Sequence, residues 1–418
     1  MIRTIMDKKK PLILKRNEYG PLISPVRDRD NPIYNWHAFK HSYSKALVEK
    51  LIKQFGLNKN SWVLDPFCGG GTTLLACKEL GINSAGFDIL PFSVFLSNVK
   101  TRTYKPNTLK KYLARFDNWA KFQQTDFNLP DIKITNEGFS VGVKEELLIL
   151  KAKIENIKNA KARDFYMLGL LSILESVSNT SKAGGFLRIE KRRITKKSVK
   201  QKFLFRINEM IRNVEEFNKN LKFSDVEVEA SISDSRVLKT QRKFDAIITS
   251  PPYPNRHDYT RIYSLELIVG FVKSNDELKR IRYKTLRSHV EAKKQFDAGG
   301  YKKPKSIDVM ITRIKKAGLN NMKVPEMIEG YFEDMYISLL QMRKCLKKSG
   351  KLALVVSNVR FGGVNIPVDK ILAEAGEQAG LSTSGIFSAR YRGNSAQQMK
   401  SFKRKPSRES IVIWENKR

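Results

Sequence analysis

The sequence predicts an α/β fold built on one doubly wound, mostly parallel sheet. A short apolar strand at residues 62–64 leads through a glycine-rich turn into a helix, and a second strand at residues 84–87 ends in Asp88. This is the opening of a βαβ unit. Strands and helices alternate again after residue 224. The most economical architecture is therefore a single sheet domain with a mostly helical insertion and a second, basic insertion.

Hydrophobic spacing places the individual elements. An apolar period over residues 44–55 predicts a helix stopped by Gly56, and another helix runs from residue 72 to 80. Residues 253–324 show no regular period and predict irregular structure. Further strands are predicted at residues 226–230, 244–249, 351–356, 384–389 and 410–414, and further helices at residues 145–157, 164–177, 327–346 and 368–379.

These elements divide the chain into five segments. Residues 1–104 hold an N-terminal arm and the first part of the sheet domain, and residues 105–223 form the helical insertion. Residues 224–253 return to the sheet, residues 254–323 form the basic insertion, and residues 324–418 complete the sheet. Either insertion is a candidate target-recognition region, because both carry clusters of cations.

The charge of the chain points to a polyanionic partner. There are 78 Lys and Arg against 42 Asp and Glu, a formal balance of +36, while 41% hydrophobic residues supply a core. The cations cluster in three basic runs, at residues 182–206, 279–305 and 390–408. Such runs are expected to neutralise a nucleic-acid phosphate backbone.

Cysteine and histidine usage excludes several classes of protein. Cys68, Cys77 and Cys345, with four histidines, cannot build a disulfide framework or a spaced thiolate metal site. No metal is expected, and a reducing, intracellular compartment is indicated. The basic stretch at residues 1–16 contains an apolar patch only at residues 11–14, too short for a secretion signal or a membrane span.

The turn between the first strand and its helix has the features of a cofactor site. It reads Asp-Pro-Phe-Cys-Gly-Gly-Gly-Thr-Thr over residues 65–73. It is not a phosphate-binding loop, because no lysine follows the glycines, and it lacks the dinucleotide spacing. Asp65 precedes the glycines and suits an amine, while Asp88 stands where a carboxylate grips a ribose diol. An amine and a ribose together describe S-adenosylmethionine.

The same turn resembles the first motif of DNA methyltransferases that modify exocyclic amines. The resemblance implies a class I S-adenosylmethionine-dependent fold with a reversed final hairpin. Residues 35–43 resemble the tenth motif of that family, which packs beside the methionine moiety, and residues 233–236 resemble the third, whose acid lies near the adenine. The predicted cofactor-binding residues are Phe39, Tyr43, Asp65, Pro66, Phe67, Cys68, Gly69, Gly71, Thr72, Asp88, Ile89, Asp234 and Ser235.

A second motif follows the strand at residues 244–249. Ser250, Pro251, Pro252 and Tyr253 are the predicted catalytic residues, and the two prolines hold the backbone rigid where the chain leaves the sheet. The lone pair of an exocyclic base amine is delocalised, so the amine is a poor nucleophile. Hydrogen bonds from its N–H groups to the Ser250 side chain and to a rigid carbonyl such as that of Pro251 would aim the lone pair at the methyl group. Tyr253 would stack on a base flipped out of the duplex.

The Ser-Pro-Pro-Tyr form is similar to cytosine-N4 methyltransferases, whereas adenine-N6 enzymes more often have Asp or Asn at the position of Ser250. Cytosine-C5 chemistry is excluded, because it needs a Pro-Cys pair and this chain has none. The expectation is a cytoplasmic bacterial DNA (cytosine-N4) methyltransferase that acts on double-stranded DNA in a restriction–modification system, alongside a cognate endonuclease. Adenine-N6 methylation, tRNA guanine-N2 methylation and a silent, non-enzymatic nucleic-acid binder stay open as alternatives. The recognition sequence and the oligomeric state cannot be derived from the sequence.

Overall fold

The computed structural model describes residues 12–14, 16–40, 42–116, 128–190, 192–223, 225–319, 321–393 and 405–417. His41 of the motif at residues 35–43, and residues 394–404 of the third basic run, lie outside the described residues. In the described ranges, no helix is both long and apolar enough to cross a membrane.

The described residues form twelve strands, of which eight make the main sheet. The strands are β1 (Leu12–Leu14), β2 (Trp62–Asp65), β3 (Asn83–Asp88), β4 (Thr180–Ala183), β5 (Phe186–Ile189), β6 (Val228–Ile232), β7 (Phe244–Thr249), β8 (Leu346–Ser357), β9 (Val359–Phe361), β10 (Val364–Ile366), β11 (Ser382–Arg392) and β12 (Ser407–Glu415). The order in the main sheet is β1-β11-β12-β8-β7-β2-β3-β6. The remaining strands pair as two short hairpins, β4 with β5 and β9 with β10.

The pairing confirms the predicted doubly wound, mostly parallel sheet. Strands β6, β3, β2, β7 and β8 are mutually parallel, and β12 runs antiparallel to both β8 and β11. This is the reversed final hairpin of a class I methyltransferase fold. The strand order changes direction between β2 and β7, so a crevice is expected at their carboxyl ends. Asp65 ends β2 and Ser250 follows β7, which places one motif on each side of that crevice.

Helices cover both the sheet and the insertions. They are α1 (Arg16–Tyr19), α2 (Lys45–Phe55), α3 (Thr72–Glu79), α4 (Pro91–Thr101), α5 (Pro106–Leu113), α6 (Lys133–Gly138), α7 (Val141–Glu155), α8 (Ala160–Ile173), α9 (Lys196–Asn220), α10 (Tyr259–Ile262), α11 (Ser264–Gly270), α12 (Asn275–Lys284), α13 (Lys305–Lys316), α14 (Val324–Cys345) and α15 (Val368–Gln378). Helix α2 follows the predicted rules: the Ser44 side chain accepts a hydrogen bond from the Leu47 amide, and Gly56 ends the helix at φ 67°.

The helical insertion shares one core with helix α4 of the sheet domain and with helix α11 of the second insertion. Helices α7, α8 and α9 bury apolar side chains against one another, among them Leu150, Phe165 and Phe203. The hairpin of β4 and β5 lies within this otherwise helical stretch. Its strands meet at a Gly184–Gly185 turn, and Gly185 lies against the His257 side chain. The insertion therefore reaches the loop that follows the Ser-Pro-Pro-Tyr motif.

The prediction of irregular structure over residues 253–324 is wrong. Four helices, α10 to α13, occupy much of this segment. In α13, Ile307, Met310, Ile311 and Ile314 are buried at helical spacing, and they pack into the core beneath the sheet. The dense lysines and arginines between these apolar residues obscured the period, because long cationic side chains can lie on the outer face of an amphipathic helix.

Candidate active site

A first pocket opens at the carboxyl edge of the sheet, where the strand order reverses. It encloses about 890 Å³, counting its open mouth. The pocket brings together most of the predicted site residues: Phe39, Tyr43, Asp65, Pro66, Phe67, Cys68, Gly69, Thr72, Asp88, Ile89, Asp234, Ser235, Ser250 and Pro252. Gly71, Pro251 and Tyr253 lie outside its described lining.

Asp65 is a buried acceptor at the end of β2. Its Oδ1 accepts hydrogen bonds from the Thr249 hydroxyl at 2.5 Å and the Phe67 amide at 3.1 Å. Its Oδ2 accepts one from the Tyr43 hydroxyl at 3.1 Å. Burial raises the pKa of the Asp65 carboxyl, and these donors act in the opposite direction. These contacts fix the orientation of the Asp65 carboxyl, which lines the pocket.

Asp88 is the second buried acid of the pocket. The Gly69 amide donates to its Oδ2 at 3.0 Å, and the Leu90 amide donates to its Oδ1 at 2.9 Å. Burial raises the pKa of Asp88 to about 6, although the two amides oppose the shift. Each oxygen thus holds one backbone donor and keeps an acceptor position, which matches the two hydroxyls of a ribose.

The backbone of the glycine turn packs directly against the ring of Phe39. Gly71 caps α3 at φ 77°. A Cβ on Gly70 would lie 2.8 Å from the Cβ of Phe39, and one on Gly69 would lie 2.9 Å from Cε1 of that ring. Phe39 in turn stacks on Tyr263, with ring centroids 4.6 Å apart. Side chains at these glycines would displace Phe39 from the wall of the pocket.

Asp234, in the wall of the first pocket, forms a two-point ion pair with Arg236. Arg236 donates to both of its carboxylate oxygens, from Nε at 2.9 Å and from an Nη at 2.7 Å. Arg236 is fully buried and also donates to Asp334 on α14 and to the carbonyl of Lys284. The neighbouring Ser235 hydroxyl hydrogen-bonds Ser338 at 2.9 Å. The loop after β6 is therefore held rigidly by α14 and by the second insertion.

The Ser-Pro-Pro-Tyr motif continues directly from β7. Ser250 Oγ donates to the carbonyl oxygen of Val355 on β8 at 3.0 Å and lies 3.2 Å from the Tyr253 hydroxyl. Burial raises the pKa of the Tyr253 phenol. The phenol is therefore neutral at physiological pH, and its hydrogen-bond partner within the motif is the Ser250 hydroxyl.

A second pocket adjoins the first at Ser250. It encloses about 710 Å³ and shares Ser42, Tyr43 and Ser250 with the first pocket. The lining residues that belong to it alone are Ile23, Ser24, Pro25, Val26, Lys40, Tyr253, Val355, Arg390, Arg392 and Glu409. Ser250 thus stands at the junction of two spaces, one beside the acids and one beside Tyr253.

A buried charge cluster supports the aromatic wall. Glu266 on α11 accepts hydrogen bonds from His37 Nε2 at 2.9 Å and from the Lys182 ammonium. Burial lowers the pKa of His37 to about 4, so its imidazole is neutral and carries its proton on Nε2. Burial alone would raise the pKa of Glu266, but Lys182 and His37 lower it to about 2. The Lys182 ammonium also lies over the Tyr263 ring.

This cluster corrects the simplest interpretation of the basic runs. Lys182, the first residue of the first run, is buried against Glu266 and cannot contact DNA from there. In the second run, Arg287 pairs with Asp334, and Arg282 pairs with Asp258. Some cations of these runs therefore hold the fold together, and only the exposed remainder is available to a phosphate backbone.

Cys68 is a packing residue. Burial raises the pKa of its thiol well above the ordinary value, and its sulfur lies 3.6 Å from the Ser97 hydroxyl. It packs with Leu74 and Val94 beneath the glycine turn. The thiol is therefore held in its protonated form, which is not a nucleophile.

Sequence reasoning missed nine lining residues of the first pocket. These are Ser42, Gly70, Leu90, Ser233, Tyr259, Thr285, Leu286, Ser288 and His289. The first four flank residues that the motifs had identified, so a wider margin around each motif would have included them. The last five come from the second insertion, and no local pattern in the sequence connects them with the cofactor motifs.

The side chains of the first pocket fit S-adenosylmethionine. Asp88 offers acceptor positions to a ribose diol, the Asp65 carboxyl lines the same pocket, and Phe39 supplies an apolar wall. The donor and acceptor chemistry therefore agrees with the ligand that the motifs predicted. The fold and the pocket together are those of a class I S-adenosylmethionine-dependent methyltransferase.

Comparison with known proteins gives the family. A family model described as DNA methylase, of the N6/N4 type, matches residues 15–98. The chain is 30% identical to the type II methyltransferase M.BsoBI of Geobacillus stearothermophilus, over 94% of this chain and 87% of that protein. It is also 30% identical to the type II methyltransferase M.AvaI of a Nostoc species, over 94% and 88%. M.MvaI of Kocuria varians is 26% identical over about half of each chain, at 51% and 52%.

The chain belongs to the S-adenosylmethionine-dependent DNA methyltransferases of the amino type, within the type II enzymes of restriction–modification systems. Its cofactor is S-adenosylmethionine, and it acts on DNA. The family assignment includes both cytosine-N4 and adenine-N6 enzymes.

Proposed function

We propose that this enzyme methylates the N4 amine of a cytosine flipped out of duplex DNA. The observation that carries the proposal is the position of the Ser-Pro-Pro-Tyr motif, with Ser250 shared by the two pockets. A cofactor in the first pocket and a base in the second would meet at that residue. The serine of the motif, in place of Asp or Asn, favours cytosine over adenine.

The hydrogen-bond pattern of Ser250 suits it to orient an amine. Its single hydroxyl proton is directed to the carbonyl of Val355, so its lone pairs face away from β8. A hydroxyl has two acceptor positions, and one of them can receive an N–H of the target amine. A second N–H would be received by the carbonyl of Pro251. With both N–H groups held, the nitrogen is favoured as a pyramidal centre with its lone pair directed into the first pocket.

The remaining residues of the motif exclude water and hold the base. Tyr253 lines the second pocket, where its neutral ring would stack on the extruded base. The prolines fix the backbone between Ser250 and Tyr253, so the two groups act at a set separation. When bound, S-adenosylmethionine supplies the electrophilic methyl group. The proton lost from the amine can leave to water, so no general base is required.

The base assignment is tested by product analysis. Duplex DNA of varied sequence is incubated with the enzyme and methyl-labelled cofactor, digested to nucleosides and examined by mass spectrometry. We expect N4-methyldeoxycytidine. N6-methyldeoxyadenosine would overturn the base assignment and leave the family intact, whereas label in tRNA but not in DNA would favour the guanine-N2 alternative.

We also propose that the segments at residues 105–223 and 254–323 supply the DNA-binding surface. Arg193 and Lys197 of the first run are exposed; Arg193 precedes α9, and Lys197 lies in its first turn. Replacing each with Gln should reduce the slope of log affinity against log salt concentration by about one unit per lost phosphate contact. Arg242→Gln is the matched control, since Arg242 lies against Trp62 near the start of β7, at the opposite edge of the sheet. An unchanged slope in both variants would exclude these two cations from the DNA interface.

Restriction–modification predicts a cognate endonuclease that cuts the same DNA sequence. Plasmid DNA modified by this enzyme should resist that endonuclease, and mapping the modified base gives the sequence to test. Cleavage of fully modified plasmid would contradict the pairing while leaving the methyl-transfer activity itself unaffected.

A further inference from the structure

The second pocket contains a cluster of charges that the methyl-transfer chemistry does not use. Lys40, Arg390, Arg392 and Glu409 line it together with Ser250 and Tyr253. Arg390 and Arg392 share the single carboxylate of Glu409, while the Lys40 ammonium donates to the carbonyl of Lys182, so the cluster carries a surplus of hydrogen-bond donors. Such a surplus beside a proposed base pocket needs acceptors, and the edge of a nucleobase can supply them.

Two of these cations are oriented by the carboxylate. Arg390 and Arg392 lie two residues apart on β11, so their side chains emerge on the same face of the strand. Both donate to Glu409 on the adjacent strand β12, Arg390 from Nε and Arg392 from Nη1 at 3.0 Å. Glu409 is only 2% exposed. It therefore acts as a buried anchor that fixes the direction of both guanidinium groups.

The charges face the catalytic tyrosine. After burial, the negative charge of Glu409 contributes to the raised pKa of the Tyr253 phenol, and the charges of Arg392 and Arg390 partly oppose it. Val355, whose carbonyl receives the Ser250 hydroxyl, lies on β8, and β8 pairs directly with β12. The arginine pair and the amine-orienting serine are thus positioned by neighbouring strands of one rigid sheet.

The edge of cytosine matches this donor set. Next to its N4 amine the ring carries two adjacent acceptors, N3 and O2. A guanidinium presents parallel N–H donors in a fixed fork, which suits two adjacent acceptors. Adenine has N1 in the position of N3 but a C–H group in the position of O2. A donor aimed at O2 would be left unsatisfied against adenine, which is the basis of strong discrimination between otherwise similar ligands.

We propose that Arg390 and Arg392, held by Glu409, recognise the N3 and O2 acceptors of the extruded cytosine and so determine which base the enzyme accepts. This inference rests on the proposed cytosine-N4 function. It adds to that function a specificity site formed by β11 and β12, more than 130 residues along the chain from the Ser-Pro-Pro-Tyr motif. An alternative role for the same arginines is contact with a phosphate that flanks the target base, and the test separates the two.

The test compares two changes to the same contact, one in the enzyme and one in the base. Duplexes carry either cytosine or 2-thiocytosine at the mapped target position, because sulfur at position 2 is a weak hydrogen-bond acceptor. For the unaltered enzyme, we expect 2-thiocytosine to reduce kcat/KM by about 10-fold to 100-fold, the range for losing a hydrogen bond to a charged group. In Arg392→Gln or Arg390→Gln the reaction with cytosine should fall similarly, and 2-thiocytosine should cause little further loss.

Control variants make the outcome specific. Arg392→Lys keeps the charge but not the fork, so it should resemble Arg392→Gln if base recognition is the role. If it instead restores full activity, phosphate contact is the better explanation and the proposal is overturned. Equal sensitivity to 2-thiocytosine in the unaltered enzyme and both Gln variants would overturn it as well. Arg242→Gln, at the opposite edge of the sheet, controls for loss of one positive charge.

Failure of this inference is distinguishable from failure of the proposed function. If the unaltered enzyme produces N6-methyldeoxyadenosine, the cytosine function itself fails. If it produces N4-methyldeoxycytidine but the variants show no coupling with the 2-thio substitution, only the specificity site fails. Melting temperatures of all variants show whether loss of an arginine merely unfolds the pocket, and Glu409→Gln provides a second route to misorient the pair without removing either cation.

Discussion

The hydroxyl of Ser250 donates a hydrogen bond to the carbonyl oxygen of Val355, 3.0 Å away on the adjacent strand. This contact joins β7 to β8 just where the chain leaves the sheet. It fixes the serine rotamer before any substrate is present, and it leaves the serine able to act only as an acceptor toward an incoming amine. Orientation of this kind costs no rearrangement at the moment of reaction.

Replacing Ser250 with Ala should therefore lower kcat far more than it weakens the cofactor. Loss of a preorganised contact of this kind typically costs about 100-fold to 1,000-fold in kcat. Single-turnover methyl transfer measures the first effect, and calorimetric titration of S-adenosylmethionine measures the second. Ser382→Ala, at the half-buried start of β11, removes a hydroxyl of the same size and should change neither. Undiminished methyl transfer by Ser250→Ala would exclude the residue from the site.

Two substitutions of Tyr253 distinguish the contribution of ring stacking from that of its hydroxyl hydrogen bond. Tyr253→Phe keeps the ring and loses the 3.2 Å contact with Ser250, whereas Tyr253→Ala loses both. Stacking of a base on an aromatic ring is worth about 1–3 kcal/mol, so Ala should reduce activity about 5-fold to 150-fold. Phe should retain most of the activity. Equal loss in the two variants, measured as kcat/KM on the same duplex, would show that the phenol and not the ring matters.

The raised pKa of Asp88 leads us to expect that cofactor binding depends on pH. Burial raises this pKa to about 6. The ionised carboxylate can accept from both ribose hydroxyls, whereas protonation turns one of its oxygens into a donor. Cofactor affinity should therefore be constant above about pH 7 and fall as the pH decreases through about 6, by at most tenfold per pH unit for one proton. Asp65 lies in the same pocket, and burial raises its pKa as well, so the two acids must be separated. Asp88→Asn should bind weakly with a flat profile near pH 6, and a persistent decrease would assign the effect to Asp65.

The catalytic half of the site follows from short-range patterns in the sequence. Asp65, Asp88 and Ser250 each stand at the end of an apolar strand, and parallel strands bring such ends to one edge. Alternation of strands and helices was enough to predict that β2, β3 and β7 share a sheet. The glycine spacing then located the turn that approaches the cofactor.

The remaining residues of the site are positioned by contacts between distant parts of the chain, which local sequence patterns do not reveal. Thr285 and His289 line the first pocket on either side of Arg287 in the sequence. Arg287 is held in place by Asp334 on α14, which is forty-seven positions away. Lys182 and Arg390 belong to basic runs that the sequence assigned to the phosphate backbone. A count of charges does not distinguish a cation that faces the solvent from one that pairs with a buried carboxylate. Glu409 and Glu266, the acids that hold them, are more than fifteen positions distant in the chain. Their pairing is set by the tertiary fold.

The buried pair of Lys182 and Glu266 yields a prediction about stability. Glu266 is 1% exposed, and its ionised carboxylate is satisfied by Lys182 and His37. Lys182→Met removes the cation and leaves that charge buried, which typically costs about 3–5 kcal/mol. The melting temperature should fall by several degrees, together with cofactor binding, because Tyr263 and Phe39 rest on this cluster.

A second change should recover much of that loss. In Lys182→Met combined with Glu266→Gln, no uncompensated charge remains, and the neutral amide can still accept a hydrogen bond from His37. The double variant should therefore melt above Lys182→Met, and the difference measures the cost of the unpaired carboxylate. Lys45→Met, which loses a partly exposed pair with Glu79, is the matched control and should change the melting temperature little. If the double variant is as unstable as Lys182→Met, the unpaired carboxylate is not the cause of the loss, and the contacts of the Lys182 ammonium are what stabilise the wall beside Phe39.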